Sequence, residues 1–153
     1  MKLTAKCLEQ IAEKTNGELN KYKAMLMVCT GTGCVSAGGF SIRDELQRIL
    51  NEKGLQNDYM VAGTGCNGFC AVGPIVVVQP EGVFYQKVGM DDLEEIVNEH
   101  LVKGNIVERL LHKDPVSGVV STTMDEIPFF NKQELIALRN KGLIDPENID
   151  HYI

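Results

Sequence analysis

Tryptophan is absent from the 153 residues, histidine occurs three times, and aromatic residues make up 6% of the chain. No segment approaches the ~18 apolar residues of a membrane span, and the N-terminal MKLTAKCLEQIAEK scatters charges where a secretory signal needs an apolar core. Nor is there a Lys/Arg run or basic face that could neutralise a row of phosphates, and the net charge is −6. Nucleic-acid binding and membrane insertion are therefore not expected, and a cytoplasmic setting is. The most informative shortage is local. From Cys29 to Phe40 and from Tyr59 to Pro80 there is no Asp, Glu, Lys or Arg, in a chain that is 24% charged.

Cysteine and glycine stand in those two stretches instead. CTGTGC holds Cys29 and Cys34, CNGFC holds Cys66 and Cys70, and Gly31, Gly33, Gly38, Gly39, Gly63, Gly65, Gly68 and Gly73 lie in or beside the same loops. A buried anionic centre without charged neighbours has to be stabilised by backbone N–H groups, and glycine lets the main chain come close enough to do it. With 44% hydrophobic residues, a chain of this length can bury a core without cross-links. Five cysteines, an odd number, then read in a cytoplasmic protein as metal ligands or reactive thiols rather than as a disulfide framework.

The order of elements brings the pairs together. Residues 3–15 predict an amphipathic helix through Leu3, Cys7, Leu8, Ile11 and Ala12, with Thr4 as N-cap and Asn16-Gly17 as stop; Cys7 is expected in its apolar face as a small core residue. AMLMV at 24–28 predicts a strand buried on both faces that ends at Cys29. A helix over 38–51 and a strand over 58–63 follow, the second running into the loop of Cys66 and Cys70. Strand, helix, strand favours a right-handed crossover, so both cysteine loops emerge at the carboxyl edge of a small parallel pair, where α/β sheets form their ligand sites. Strands over 75–78 and 83–85 and a helix over 91–102 complete a β-α-β-β-β-α unit.

After that the pattern weakens. Residues 104–127 read as a linker with a weak strand at Val119-Val120. Pro128, Phe129 and Phe130 open a new apolar cluster, followed by a helix over 131–140 and another short one from Asp145-Pro146-Glu147, whose apolar residues are expected to pack against something absent. The organisation expected is a helix in 1–20, an α/β domain in 21–103, a linker in 104–127 and a further domain's start in 128–153.

Three chemistries suit the four thiols. A 2Fe-2S cluster takes two thiolates per iron, so two close pairs in charge-free loops match it best. Structural zinc accepts four thiolates too, and Cys29/Cys34 sits at the upper limit of its usual spacing. A thiol-disulfide enzyme would show Cys-x-x-Cys at a helix N-terminus, which neither pair has. His100, His112 and His151 all follow the cysteine region and read as surface residues, not as the imidazoles of a Rieske centre. Tyr59, Phe69 and Tyr85 read as core residues rather than as flanks of the site. The glycines of the first loop lack the Lys-Ser/Thr of a phosphate loop.

Cys29-x4-Cys34 with Cys66-x3-Cys70, in that strand and helix order, resembles the thioredoxin-like 2Fe-2S ferredoxins, the family that includes the 24-kDa-type subunit of respiratory NADH dehydrogenase. The resemblance implies a thioredoxin-like mixed four-stranded sheet with flanking helices and a cluster held by Cys29, Cys34, Cys66 and Cys70, with no catalytic acid or base. The tail, Pro128-Phe-Phe-Asn-Lys-Gln and Ala137-Leu-Arg-Asn-Lys-Gly-Leu-Ile-Asp-Pro-Glu with Tyr152 after it, is similar to the lead-in of the flavin-binding 51-kDa-type NADH-oxidising subunit. That fusion is typical of flavoprotein subunits of soluble NAD(P)-linked iron-iron hydrogenases and NAD-dependent formate dehydrogenases. It implies FMN, NAD(H) and further iron-sulfur clusters in a missing remainder. The partners implied are other redox subunits of a multisubunit oxidoreductase and the parent chain's own flavin domain, and a homodimer is compatible.

Overall fold

The computed structural model describes residues 4–153. Helix α1 spans Ala5–Leu19, with the Thr4 hydroxyl accepting the Cys7 N–H as its cap. Leu3, assigned to this helix from the sequence, lies outside the described residues. The helix runs through Asn16-Gly17 because one glycine inside a helix costs only about 1 kcal/mol relative to alanine. None of its residues is buried, and its main contact is with the C-terminal turn Ile149–Tyr152. Cys7 is half-exposed, not a core residue, because other helices already occupy the sheet face.

The sheet consists of β1 (Ala24–Cys29), β2 (Tyr59–Thr64), β3 (Val76–Gln79) and β4 (Val83–Tyr85), in the order β2-β1-β3-β4. Strands β1 and β2 run parallel with Cys29 opposite Thr64, while β3 is antiparallel to β1 and β4 to β3. Between β1 and β2 lie a short helix α2 (Thr32–Ser36) and the longer α3 (Gly39–Glu52). The two-residue period of β1 divides the core. Leu26 and Val28 join Ile42, Leu46 and Leu50 of α3 on one face; Met27 and Cys29 join Val77, Phe84, Ile127 and Phe130 on the other. Each fully buried side chain of this size contributes about 1.5–3 kcal/mol.

The closing helix starts as α4 (Leu93–Glu95) and continues through π-helical turns, Ile96–Val102. The wider turn carries His100 inward, which corrects its expected surface position: it is buried, with Nδ1 2.8 Å from Tyr85 Oη and Nε2 2.7 Å from a Glu81 carboxylate oxygen. His112 is also buried, its Nδ1 2.8 Å from Gln86 Oε1, and His151 is half-buried.

The segment 104–127, expected as linker, is ordered against β4. Val107, Leu110 and Leu111 enter the main core cluster, and β5 (His112–Lys113) pairs with β6 (Val120–Ser121). β4 is a short edge strand whose outward amides need partners; Phe84 N–H donates to Thr122 O (2.9 Å) and Gln86 N–H to Leu110 O (2.9 Å). The weak strand expected at Val119-Val120 corresponds to β6, one residue displaced; its partner β5 and the packing against β4 are not legible in the sequence, because the cover is built from two-residue strands among turn residues.

The helix expected over 131–140 is not present: α5 spans Pro128–Asn131 and turns follow to the final Ile149–Tyr152 turn. An isolated ten-residue helix is marginal, and here Ile136 and Leu138 face solvent with nothing to bury them. Nor does the tail wait wholly for an absent partner. Ile127 and Phe130 complete the second sheet face, and Phe129 stacks on Phe69 with ring centroids 4.8 Å apart.

Candidate metal centre

Cys29 is the last residue of β1, and its N–H donates to Ile75 O at 3.0 Å. Cys34 lies in the middle of α2; both are buried. Cys66 follows β2 by two residues and is half-buried, whereas Cys70 opens the turn Cys70–Val72 and is exposed. The parallel pairing of β1 with β2 puts the roots of both loops side by side, and Thr30 secures them by donating its N–H (3.0 Å) and hydroxyl (2.8 Å) to Thr64 O.

The loops interlock at their sulfurs. A Cβ placed on Gly31 would lie 2.9 Å from Cys66 Sγ, one on Gly33 3.3 Å from Cys70 Sγ, and one on Gly73 2.8 Å from Cys34 Sγ. The first two approaches are of the first loop on the cysteines of the second; the third is the reverse. Side chains at these positions would occupy the space that the thiols share, so glycine here answers a steric demand.

The two loops carry no charged side chain of their own. Burial pushes the Cys34 thiol up to about 12, aided by its hydrogen bond with Cys29 and the negative charge there, with the Ile75 amide opposing. At Cys66 the Gly68 N–H, 3.3 Å from Sγ, favours thiolate, yet burial and the charges of Cys29 and Cys70 leave the pKa raised. A bound metal reverses this order, because it deprotonates its thiol ligands. Among the described residues no three His, Cys, Asp or Glu side chains gather as around a single ion. A binuclear cluster needs its ligands in pairs, two to each iron.

The tail closes over the second loop. Gly142 N–H donates to Thr64 Oγ1 (2.9 Å), which donates in turn to Ile144 O (3.1 Å); Gln79 Nε2 donates to Gly142 O (3.1 Å). Lys141 is buried, donates to Asn67 O at 3.3 Å and sits 4.4 Å from the centroid of the Phe130 ring. Burial lowers its pKa, and the Cys66 charge pulls the other way. The Asn67 carboxamide, 1% exposed, has no hydrogen-bond partner for Nδ2 or Oδ1. Phe69 lies in the cysteine loop, while Tyr59 and Tyr85 belong to the core on the opposite face. Lys141 and Asn67 carried no signal as site residues in the sequence, where Lys141-Gly142 reads only as a turn.

The donor set suits a 2Fe-2S cluster: four thiols on two loops, glycines that leave room at the sulfurs, an amide directed at one sulfur, and an unpartnered carboxamide between two of the cysteines. The profile of the thioredoxin-like 2Fe-2S ferredoxins matches residues 8–101. The chain belongs to that family. It is 46% identical over 77 residues to a 2Fe-2S ferredoxin of Clostridium pasteurianum, an alignment that covers 50% of this chain and 76% of the relative. A 2Fe-2S ferredoxin of Aquifex aeolicus is 41% identical over 66 residues, covering 43% of this chain and 60% of that one. A solved thioredoxin-like 2Fe-2S ferredoxin from Aquifex aeolicus superposes with a TM-score of 0.54 at 31% identity, over 58% of this chain and 89% of the other. The protein is accordingly an iron-sulfur electron carrier with a thioredoxin-like fold and a 2Fe-2S cluster as cofactor. No described helix is long and apolar enough to cross a membrane.

Proposed function

We propose that Cys29, Cys34, Cys66 and Cys70 hold the cluster of this ferredoxin, and that it relays single electrons beside a flavin in an NAD(P)H-linked multisubunit oxidoreductase. The observation that carries the ligand set is the interlock of the two loops, in which Gly31 and Gly33 approach the sulfurs of Cys66 and Cys70, and Gly73 that of Cys34. The cluster supplies one reversible electron; the chain's part is to hold four thiolates, to place the Gly68 amide on sulfur, and to keep carboxylates out of both loops. The NAD(P)H link rests on the tail, whose Pro128-Phe-Phe-Asn-Lys-Gln and Ala137-to-Glu147 runs resemble the lead-in of a flavin-binding NADH-oxidising subunit. On this reading 128–153 begins the flavin domain, and the partners are that domain and neighbouring redox subunits in the cytoplasm.

Three measurements test the two halves. Cys29→Ser and Cys66→Ser should each lose most iron, acid-labile sulfide and the reduced-state EPR signal; a full iron complement and an unchanged signal in both would overturn the ligand set. Zinc without sulfide in anaerobically purified wild-type protein would overturn the cluster reading as well. In the parent assembly, NADH or NADPH should reduce the cluster. Reduction by dithionite but by neither nicotinamide would remove the NAD(P)H link and leave the ligand set intact.

A further inference from the structure

We infer that Lys141 is a built-in counter-cation of the cluster, which makes the tail after the ferredoxin domain part of the electron-transfer centre and a determinant of its reduction potential. The inference rests on the four-cysteine ligand set proposed above. Lys141 is 6% exposed, and none of the ion pairs among the described residues includes it. Its Nζ contacts the Asn67 carbonyl, between Cys66 and Cys70, and the face of Phe130. One carbonyl and one ring face replace only part of an ammonium's hydration, so a buried lysine so placed calls for a nearby negative charge. No acidic residue lies from Tyr59 to Pro80 to provide it, and of the two carboxylates that line the same cavity as Lys141, Glu81 is engaged by His100 Nε2 at 2.7 Å and Asp125 makes no ion pair with it. The thiolate loop does: two ferric ions, two sulfides and four thiolates carry a net negative charge, and one-electron reduction increases it.

The position is held from several sides. Thr64 and Gln79 fix Gly142, the next residue, and the Phe130 ring backs the ammonium from the sheet side. The unpartnered Asn67 carboxamide lies at the same seam, 3.6 Å from where a Cβ on Gly142 would be. A cation fixed there stabilises the reduced cluster more than the oxidised one, because attraction grows with the charge it faces, and burial limits screening by salt. Lys141 therefore acts on the potential as a positioning charge, without touching the path of the electron.

The test is an EPR-monitored redox titration of the full chain with Lys141→Met, which keeps the length and removes the charge, and Lys141→Arg, which keeps the charge. Lys141→Met should shift the reduction equilibrium about tenfold toward the oxidised form, equivalent to about 59 mV for a one-electron couple, with Lys141→Arg staying nearer to wild type. An unchanged potential in Lys141→Met, or an equal drop in Lys141→Arg, overturns the inference. If Lys141→Met fails to retain its cluster, Lys141→Gln is titrated against the same criteria. Failure here is distinct from failure of the ligand set, which would show as a wild-type protein without iron and sulfide.

Discussion

Gly73 shows how closely single residues define the centre. A methyl group there would meet the sulfur of buried Cys34 at 2.8 Å and the Cys70 carbonyl at 3.4 Å. Cys34 cannot retreat, because α2 holds its backbone and the second core face encloses its side chain. Gly73→Ala should therefore lower the iron and sulfide content of purified protein severalfold while leaving the far-UV circular dichroism unchanged. Gly65→Ala is the matched control: a Cβ there meets nothing within 4 Å, and cluster content should equal that of wild type. Equal loading of both variants would show that the glycines of this loop serve the turn and not the sulfurs.

Elements are joined on the far face by the Tyr85 hydroxyl. It accepts the Val107 N–H at 3.1 Å and lies 2.8 Å from His100 Nδ1, linking β4, the π-helical turns and the segment that covers the sheet edge. Arg109 adds a pair to Asp92 at the foot of the closing helix (2.7 Å). Tyr85→Phe leaves a buried amide unpartnered and should cost about 1–3 kcal/mol in urea unfolding. The pH dependence has a defined sign. Burial is the main cause that raises the folded-state pKa of Tyr85 from 10.0 to about 12, with the Val107 amide opposing. Above pH 10 the unfolded chain therefore releases a proton that the folded chain still holds, and stability falls until the folded group ionises near pH 12. The advantage of wild type over Tyr85→Phe should shrink across that window, by up to about 1.4 kcal/mol per pH unit. A difference independent of pH would mean that the phenol ionises equally in both states.

At the scale of the molecule, the tail supplies part of the second sheet face and the roof of the cysteine loop. Thr64 is the pin: fully buried, it accepts Gly142 N–H and donates to Ile144 O. Thr64→Val keeps the shape and removes both bonds, a loss of about 2 kcal/mol at ~1 kcal/mol per bond. The open population of residues 128–153 should rise tens-fold, read as faster amide exchange or proteolysis within the tail. The amides of α3 should exchange as before, since the core cluster that Ile42, Leu46 and Leu50 belong to contains no tail residue. Uniform acceleration throughout the chain would show instead that tail and sheet unfold as one unit.

Much of this was legible in the residues. The apolar run ending at Cys29, the helical spacing after it and the glycine-rich, charge-free loops dictated a mixed sheet with both cysteine pairs at one edge, because side-chain period and crossover handedness are local properties of the chain. Only the tertiary structure decided the burial of His100 and His112, the pairing of 104–127 with β4, and the descent of Ile127, Phe130 and Lys141 onto the cysteine face. Those outcomes depend on which edge amides and which apolar surface remain unpaired once the sheet has formed, and no short stretch of sequence encodes that.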